Sequence, residues 1–112
     1  MPSNHVTHVY IGLGGEGEYI GDGGLYRRAH NEDEWTSISS GLGTNPQVRA
    51  LLVHPQNPTT IYAGTNRGPF RSDDRGDHWE RLGAPEADVW SLAFHPNNPD
   101  VIYAGYEPCA VY

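Results

Sequence analysis

The sequence holds a single cysteine, few basic residues and no long apolar run. Cys109 cannot close a disulfide within the chain, and with no evident base beside it in the sequence it reads as an inert thiol rather than a nucleophile. The apolar stretches fall far short of the ~20 residues that a membrane-spanning helix needs. Met1 to His8 is polar and lacks the apolar core of a secretory signal. The 7 Lys and Arg are outnumbered by 14 Asp and Glu, giving a net charge of −7. Such a surface repels phosphate backbones, which argues against nucleic acid as a partner. Sustained helical periodicity is also missing, so the chain is not helical in bulk.

Turn residues take the place of all these. The 14 Gly and 9 Pro make up about a fifth of the 112 residues, against ~12% in average proteins. They break helices and mark tight turns between short strands. The turns recur at a fixed spacing. Val48-Arg49-Ala50-Leu51-Leu52-Val53-His54-Pro55 returns 41 residues later as Val89-Trp90-Ser91-Leu92-Ala93-Phe94-His95-Pro96. Asn57-Pro58 returns as Asn98-Pro99, and Ile61-Tyr62-Ala63-Gly64 as Ile102-Tyr103-Ala104-Gly105. A second register, offset by 44, relates Tyr26-Arg27 and Trp35 to Phe70-Arg71 and Trp79. Val9-Tyr10-Ile11-Gly12 is an earlier copy of the Tyr-Ala-Gly segment. A period of ~40–45 residues is that of four-stranded propeller blades.

Each repeat divides into strands A to D. Strand A spans Val48–Val53 and Val89–Phe94, and its apolar sequence predicts burial on both faces. Strand B spans Val9–Ile11, Ile61–Ala63 and Val101–Ala104. Strand C spans Leu25–Arg28, Pro69–Ser72 and Ala110–Tyr112. Strand D, mixed in polarity like an outer edge, spans Glu34–Ile38 and His78–Leu82. The blade pieces are thus roughly 9–38, 48–82 and 89–112, all within one partial propeller over 1–112.

Ser72-Asp73-Asp74-Arg75-Gly76-Asp77-His78-Trp79 resembles the Asp-box, Ser/Thr-x-Asp-x-Gly-x-Thr-Trp, with His78 in place of Thr. This is the BNR repeat of sialidases, sortilin-type receptors, some xyloglucan-degrading glycosidases and photosystem assembly factors. The resemblance covers roughly residues 9–112 and implies an all-β fold, a β-propeller fragment of about two and a half four-stranded blades. In the upstream copy Arg28, His30 and Glu32 replace Ser, Asp and Gly, and Trp35 alone survives. The box reads as structural. Asp74 is expected to accept backbone N–H bonds in its own turn, Ser72 to bond locally, and Gly76 to supply an angle that a Cβ would oppose. Trp79 and Trp35 are expected to be buried between blades. The resemblance places the box on the face opposite the substrate.

Other motifs carry less chemistry. Gly12-Leu13-Gly14-Gly15-Glu16-Gly17 spells G-x-G-x-x-G, but the Gly-rich stretch after it cannot form the helix that a dinucleotide site requires, so no cofactor is expected. Asp73, Asp74 and Asp77 share a loop without EF-hand spacing, and His54 and His95 fall in different blades, so no metal is expected. Glu16, Glu18, Asp22 and Glu107 fall in B–C loops. A glycosidase pair is defined by a distance of ~5 or ~6.5–9.5 Å across the bond, which sequence spacing does not give, so they read as acidic solvated loops. Arg49 and Arg67 fall short of the arginine cluster of a sialidase. No catalytic residue is assigned.

The sequence therefore points to a non-catalytic binding or scaffolding module. The alternative is part of a sialidase-like or xyloglucanase-like glycoside hydrolase with catalytic residues partly outside this chain. A glycan or protein ligand is expected on the face of the B–C and D–A loops, touching Glu16, Glu18, Tyr19, Asp22, Asn66, Arg67 and Glu107. An open arc leaves apolar end faces uncovered. The expected partner is thus either the rest of a longer propeller chain or further copies of this one, completing a ring.

Overall fold

The computed structural model describes residues 7–14, 23–43, 45–82, 88–107 and 110–111. Among them there is no helix. Ten strands form three antiparallel sheets. The first contains β1 (His8–Leu13), β2 (Gly24–Ala29) and β3 (Thr36–Ser37) in that order. The second runs β4 (Val48–Val53), β5 (Ile61–Thr65), β6 (Gly68–Ser72) and β7 (Glu80–Arg81). The third contains β8 (Asp88–His95), β9 (Asn98–Glu107) and β10 (Ala110–Val111), ordered β10-β9-β8. Each is a meander of neighbouring strands, the simplest path for a chain punctuated by tight turns.

Alternation along β5 joins the sheets. Ile61 and Ala63 face the first sheet, where with Phe70 they form a buried cluster with Leu25, Ile38, Leu42 and Val48; Tyr10 and Trp79 pack against it. Tyr62 and Gly64 face the third sheet. The Tyr62 ring meets Phe94 edge-on at 5.9 Å between centroids, and a Cβ on Gly64 would lie 2.7 Å from Val89 Cγ1. The first joint repeats this geometry: a Cβ on Gly12 would lie 2.6 Å from Val48 Cγ1. The glycine at this position is therefore a spacing device, letting the next sheet's leading valine touch backbone.

Two sequence expectations fail here. Strand A is not buried on both faces: β4 is mostly half-buried and Val53 is exposed, whereas all of β5 is buried. The reason is position, because β4 is the edge of its sheet while β5 has a neighbour on every side. Strand D is also shorter than expected, Thr36–Ser37 and Glu80–Arg81 in place of Glu34–Ile38 and His78–Leu82. Each short ladder is carried one residue further by a single bond in the same register: Ile38 N–H donates to Leu25 O and Leu82 N–H to Pro69 O, both at 2.9 Å.

The Gly64 contact yields a test. Gly64→Ala should lower stability by ~1–3 kcal/mol through overpacking. Val89→Ala on the same background should recover part of that loss, although Val89→Ala alone destabilises. Denaturant midpoints of the four proteins check it, and strictly additive effects would contradict the proposed contact.

Candidate functional site

Two ends of the sheets carry polar groups. At one end lies the Ser72–Trp79 turn, closed by its own side chains. Ser72 Oγ donates to Asp74 Oδ1 at 2.7 Å and accepts from Gly76 N–H at 2.8 Å and Asp74 N–H at 3.3 Å. Asp74 Oδ1 also accepts from His78 N–H at 2.9 Å, and Oδ2 lies 2.6 Å from His78 Nδ1. Arg75 and Gly76 both have positive φ, +58° and +93°. Gly76 is further required because a Cβ there would lie 2.5 Å from Ile38 Cδ1.

The turn is also the clasp between the first and second sheets. Trp79 Nε1–H donates to Ile38 O at 2.8 Å. The Arg27 guanidinium donates to Arg75 O at 2.7 Å and to Asp77 Oδ1 at 3.1 Å. Asp73 takes Arg71 at 2.9 Å and the Thr60 hydroxyl at 3.2 Å. The three aspartates thus have separate partners and do not converge. Among the described residues no three His, Cys, Asp or Glu side chains gather around a common point. Upstream, Arg28 Nη1 donates to Glu32 O at 2.6 Å, one side chain closing a turn that elsewhere needs Ser, Asp and Gly.

Trp79 is half-buried, and Trp35, expected to be buried, is 41% exposed. Among the described residues no sheet covers Trp35 as the first sheet covers Trp79. Its ring instead carries the Arg28 guanidinium at 5.2 Å and lines an open cleft of about 320 Å³ with Ile11, Leu13 and Tyr26.

The opposite end carries the β1–β2, β5–β6 and β9–β10 connections. Of the residues expected to meet a ligand, Glu16, Glu18, Tyr19 and Asp22 lie outside the described residues, as do Cys109 and Tyr112. Glu107 ends β9, its backbone paired with Asp88. Asn66 and Arg67 are held by structural bonds. Asn66 Oδ1 accepts from Gln47 N–H at 3.0 Å, and Asn66 N–H donates to Gln47 O at 3.2 Å. Arg67 Nη1 donates to Leu42 O at 3.4 Å. These bonds fix the connection between the first and second sheets.

Sequence reasoning missed a pair at this end. The β4–β5 and β8–β9 ladders both slip register, between Val48 and Ala50 and between Val89 and Ser91. The residues at the slips are Arg49 and Trp90, and the Arg49 guanidinium lies 4.4 Å from the Trp90 ring centroid. A bulge re-aims a side chain, and here equivalent bulges in adjacent sheets bring a cation onto an indole. The 41-residue offset that equates Arg49 with Trp90 was the available signal.

No protein-family model matches the sequence, and no curated protein does. Among solved structures, the chain resembles the crystal structure of the GH74 xyloglucanase from Xanthomonas campestris, with a TM-score of 0.71 and 21% identity. The match covers 93% of this chain and 18% of that one. The fold is a β-propeller fragment. The three sheets are its blades, and the chain spans less than a fifth of the length of the xyloglucanase that it resembles.

The clasp makes two predictions. Ser72 is buried and serves three bonds, so Ser72→Ala should cost ~1–3 kcal/mol in thermal or denaturant unfolding.

The second concerns pH. The Ser72 hydroxyl, then the His78 ring and N–H, hold Asp74 well below its ordinary 3.8. The Asp74 carboxylate in turn raises His78 above its ordinary 6.5. Stabilisation from raised His78 is complete below 6.5 and lost as pH rises through the higher folded value. Stabilisation from lowered Asp74 is present above 3.8 and lost as pH falls towards the lower folded value. The pair therefore contributes most between 3.8 and 6.5. The stability gap between wild type and His78→Ala should be wider at about pH 5.5 than at about pH 9. Paired urea titrations measure it, and a gap independent of pH would refute the coupling.

Proposed function

We propose that the chain is a non-catalytic β-propeller module whose Ser72–Trp79 turn acts as an Asp-box clasp between blades, and whose opposite end binds a glycan or scaffolds a protein. The observation that carries this reading is the use made of the polar groups. Asn66, Arg67, Asp74 and Asp77 hold loops and blades together, while Arg49 and Trp90 form a stacked pair at the loop end. An indole face of that kind suits the apolar face of a sugar ring or the flat contact of a protein surface. The alternative, part of a glycoside hydrolase, draws on the likeness to a xyloglucanase. Such an enzyme needs carboxylates across the scissile bond, ~5–9.5 Å apart.

Soluble xyloglucan separates the two readings. The module should be retarded in affinity electrophoresis through that polymer, weakly and without releasing reducing sugar, and Trp90→Ala should run without retardation. Release of reducing sugar would overturn the non-catalytic reading. Equal mobility with and without polymer would remove the glycan and leave the scaffold.

A further inference from the structure

The three blades provide an internal control for what should cover their surfaces. On the side of the second blade that faces the first, Ile61, Ala63 and Thr65 are 1%, 0% and 0% exposed. The matching residues of the first blade are Val9, Ile11 and Leu13, aligned through the shared Tyr-x-Gly of β1 and β5. They are 37%, 40% and 42% exposed. Phe70 and Trp79 of the second blade correspond to Tyr26 and Trp35 of the first, and it is Tyr26 and Trp35 that line the open cleft with Ile11 and Leu13.

The other side of the chain shows the reciprocal. Tyr62, against the third blade, is 4% exposed; its equivalent in the third blade, Tyr103, is 42% exposed. Within the chain the tyrosine of each strand B meets the next blade. Tyr10 packs against the cluster of Ile61, Ala63 and Phe70, and Tyr62 packs against Phe94. Tyr103 is the third tyrosine of that series, and the Ile11–Leu13–Tyr26–Trp35 cleft is the third receptor surface.

We propose that the Ile11–Leu13–Tyr26–Trp35 cleft of one copy receives the Tyr103 face of a second copy, so that chains associate head to tail in continuation of their own blade stacking. The occupant follows the pattern of the internal joint, where Tyr10 packs together with Leu25, Ile38 and Leu42 of its blade against Ile61, Ala63 and Phe70, and Tyr103 is a further strand-B tyrosine that is exposed. The contact is heterologous: each copy offers a cleft at one end and a tyrosine at the other, so association continues until it closes into a ring or runs on. The proposal does not depend on whether the module binds glycans.

Complementation tests it. Light scattering on the wild type at micromolar concentration should give a mass that is a multiple of the 12.4 kDa chain. Ile11→Glu blocks the cleft and Tyr103→Glu blocks the tyrosine side, and each variant alone should run as a single chain. Leu13→Lys gives a second cleft variant should Ile11→Glu fold poorly, and circular dichroism verifies each. An equimolar mixture of one cleft variant with Tyr103→Glu retains one intact cleft and one intact tyrosine face. It should form a complex of two chains and no larger species. A folded wild type that stays a single chain overturns the proposal, as it would if these faces serve only blades of a longer polypeptide. So does a mixture that fails to associate, and a Tyr103→Glu protein that assembles as the wild type does would place the contact elsewhere.

Discussion

Everything in this fold follows from the close approach of neighbouring blades at one glycine per repeat. At Gly12 and Gly64 the next blade's valine sits where a Cβ would be. Strands there are closer than side chains on both sides would permit, so large residues interdigitate around the contact instead of across it. Tyr10 and Tyr62 then lie beside the glycine on the same face, and each reaches the following blade. The repeat is therefore less a strand pattern than a joint pattern: a small residue to admit the neighbour, and a tyrosine two residues earlier to fill the space beside it.

The clasp at the other end acts on the same joint. Ser72, Asp74 and Gly76 shape a turn whose purpose is visible in what it presents to the first blade. Trp79 is aimed at Ile38 O, Arg75 O at Arg27, and the bare Gly76 at the Ile38 side chain. An exposed ion pair contributes little by itself. Here the Asp74–His78 pair is exposed, but it shares Asp74 with the buried Ser72 hydroxyl, so its effect is on the shape of the turn and through it on the fit to Ile38. His78 supplies a donor next to Asp74 and makes that donor titratable.

The parts legible in the sequence were those set by period and by local backbone chemistry. The strands β4 and β6 could be placed because turn residues bracket them, and the bonds of Asp74 follow from how a short carboxylate satisfies its own turn. The Trp35 error has a different origin. Equivalence by offset says that Trp35 and Trp79 hold the same place within a blade, but burial depends on the neighbour, and the neighbour lies outside the repeat. The Arg49–Trp90 contact was hidden for a related reason: the offset equates the two residues, but a bulge moves each out of its strand's alternation, and the two-residue period of β4 and β8 does not contain that shift. Asn66 and Arg67 were placed at the right end of the molecule, yet their hydrogen bonds reach back to Gln47 and Leu42, partners 19 and 25 residues distant that no local motif announces.

Neighbour dependence also orders stability along the chain. A repeat array gains its stability from interfaces between units as well as within them. The second blade has a partner on both sides, and its strand B is buried at all five positions. Among the described residues the first blade packs on one other sheet, and its strand B alternates between half-buried and exposed along its whole length. The two strands share the Tyr-x-Gly frame, but Val9, Ile11 and Leu13 face outward where Ile61, Ala63 and Thr65 face another sheet. At ~25 cal/mol per Å² of apolar surface, covering such a side chain stabilises a blade by an amount comparable with its hydrogen bonds. An end blade is thus held mainly by its inner face. Its outer face, with Val9, Ile11, Leu13 and Trp35 each about two-fifths exposed, contributes less, and is the place where a matching surface would gain most.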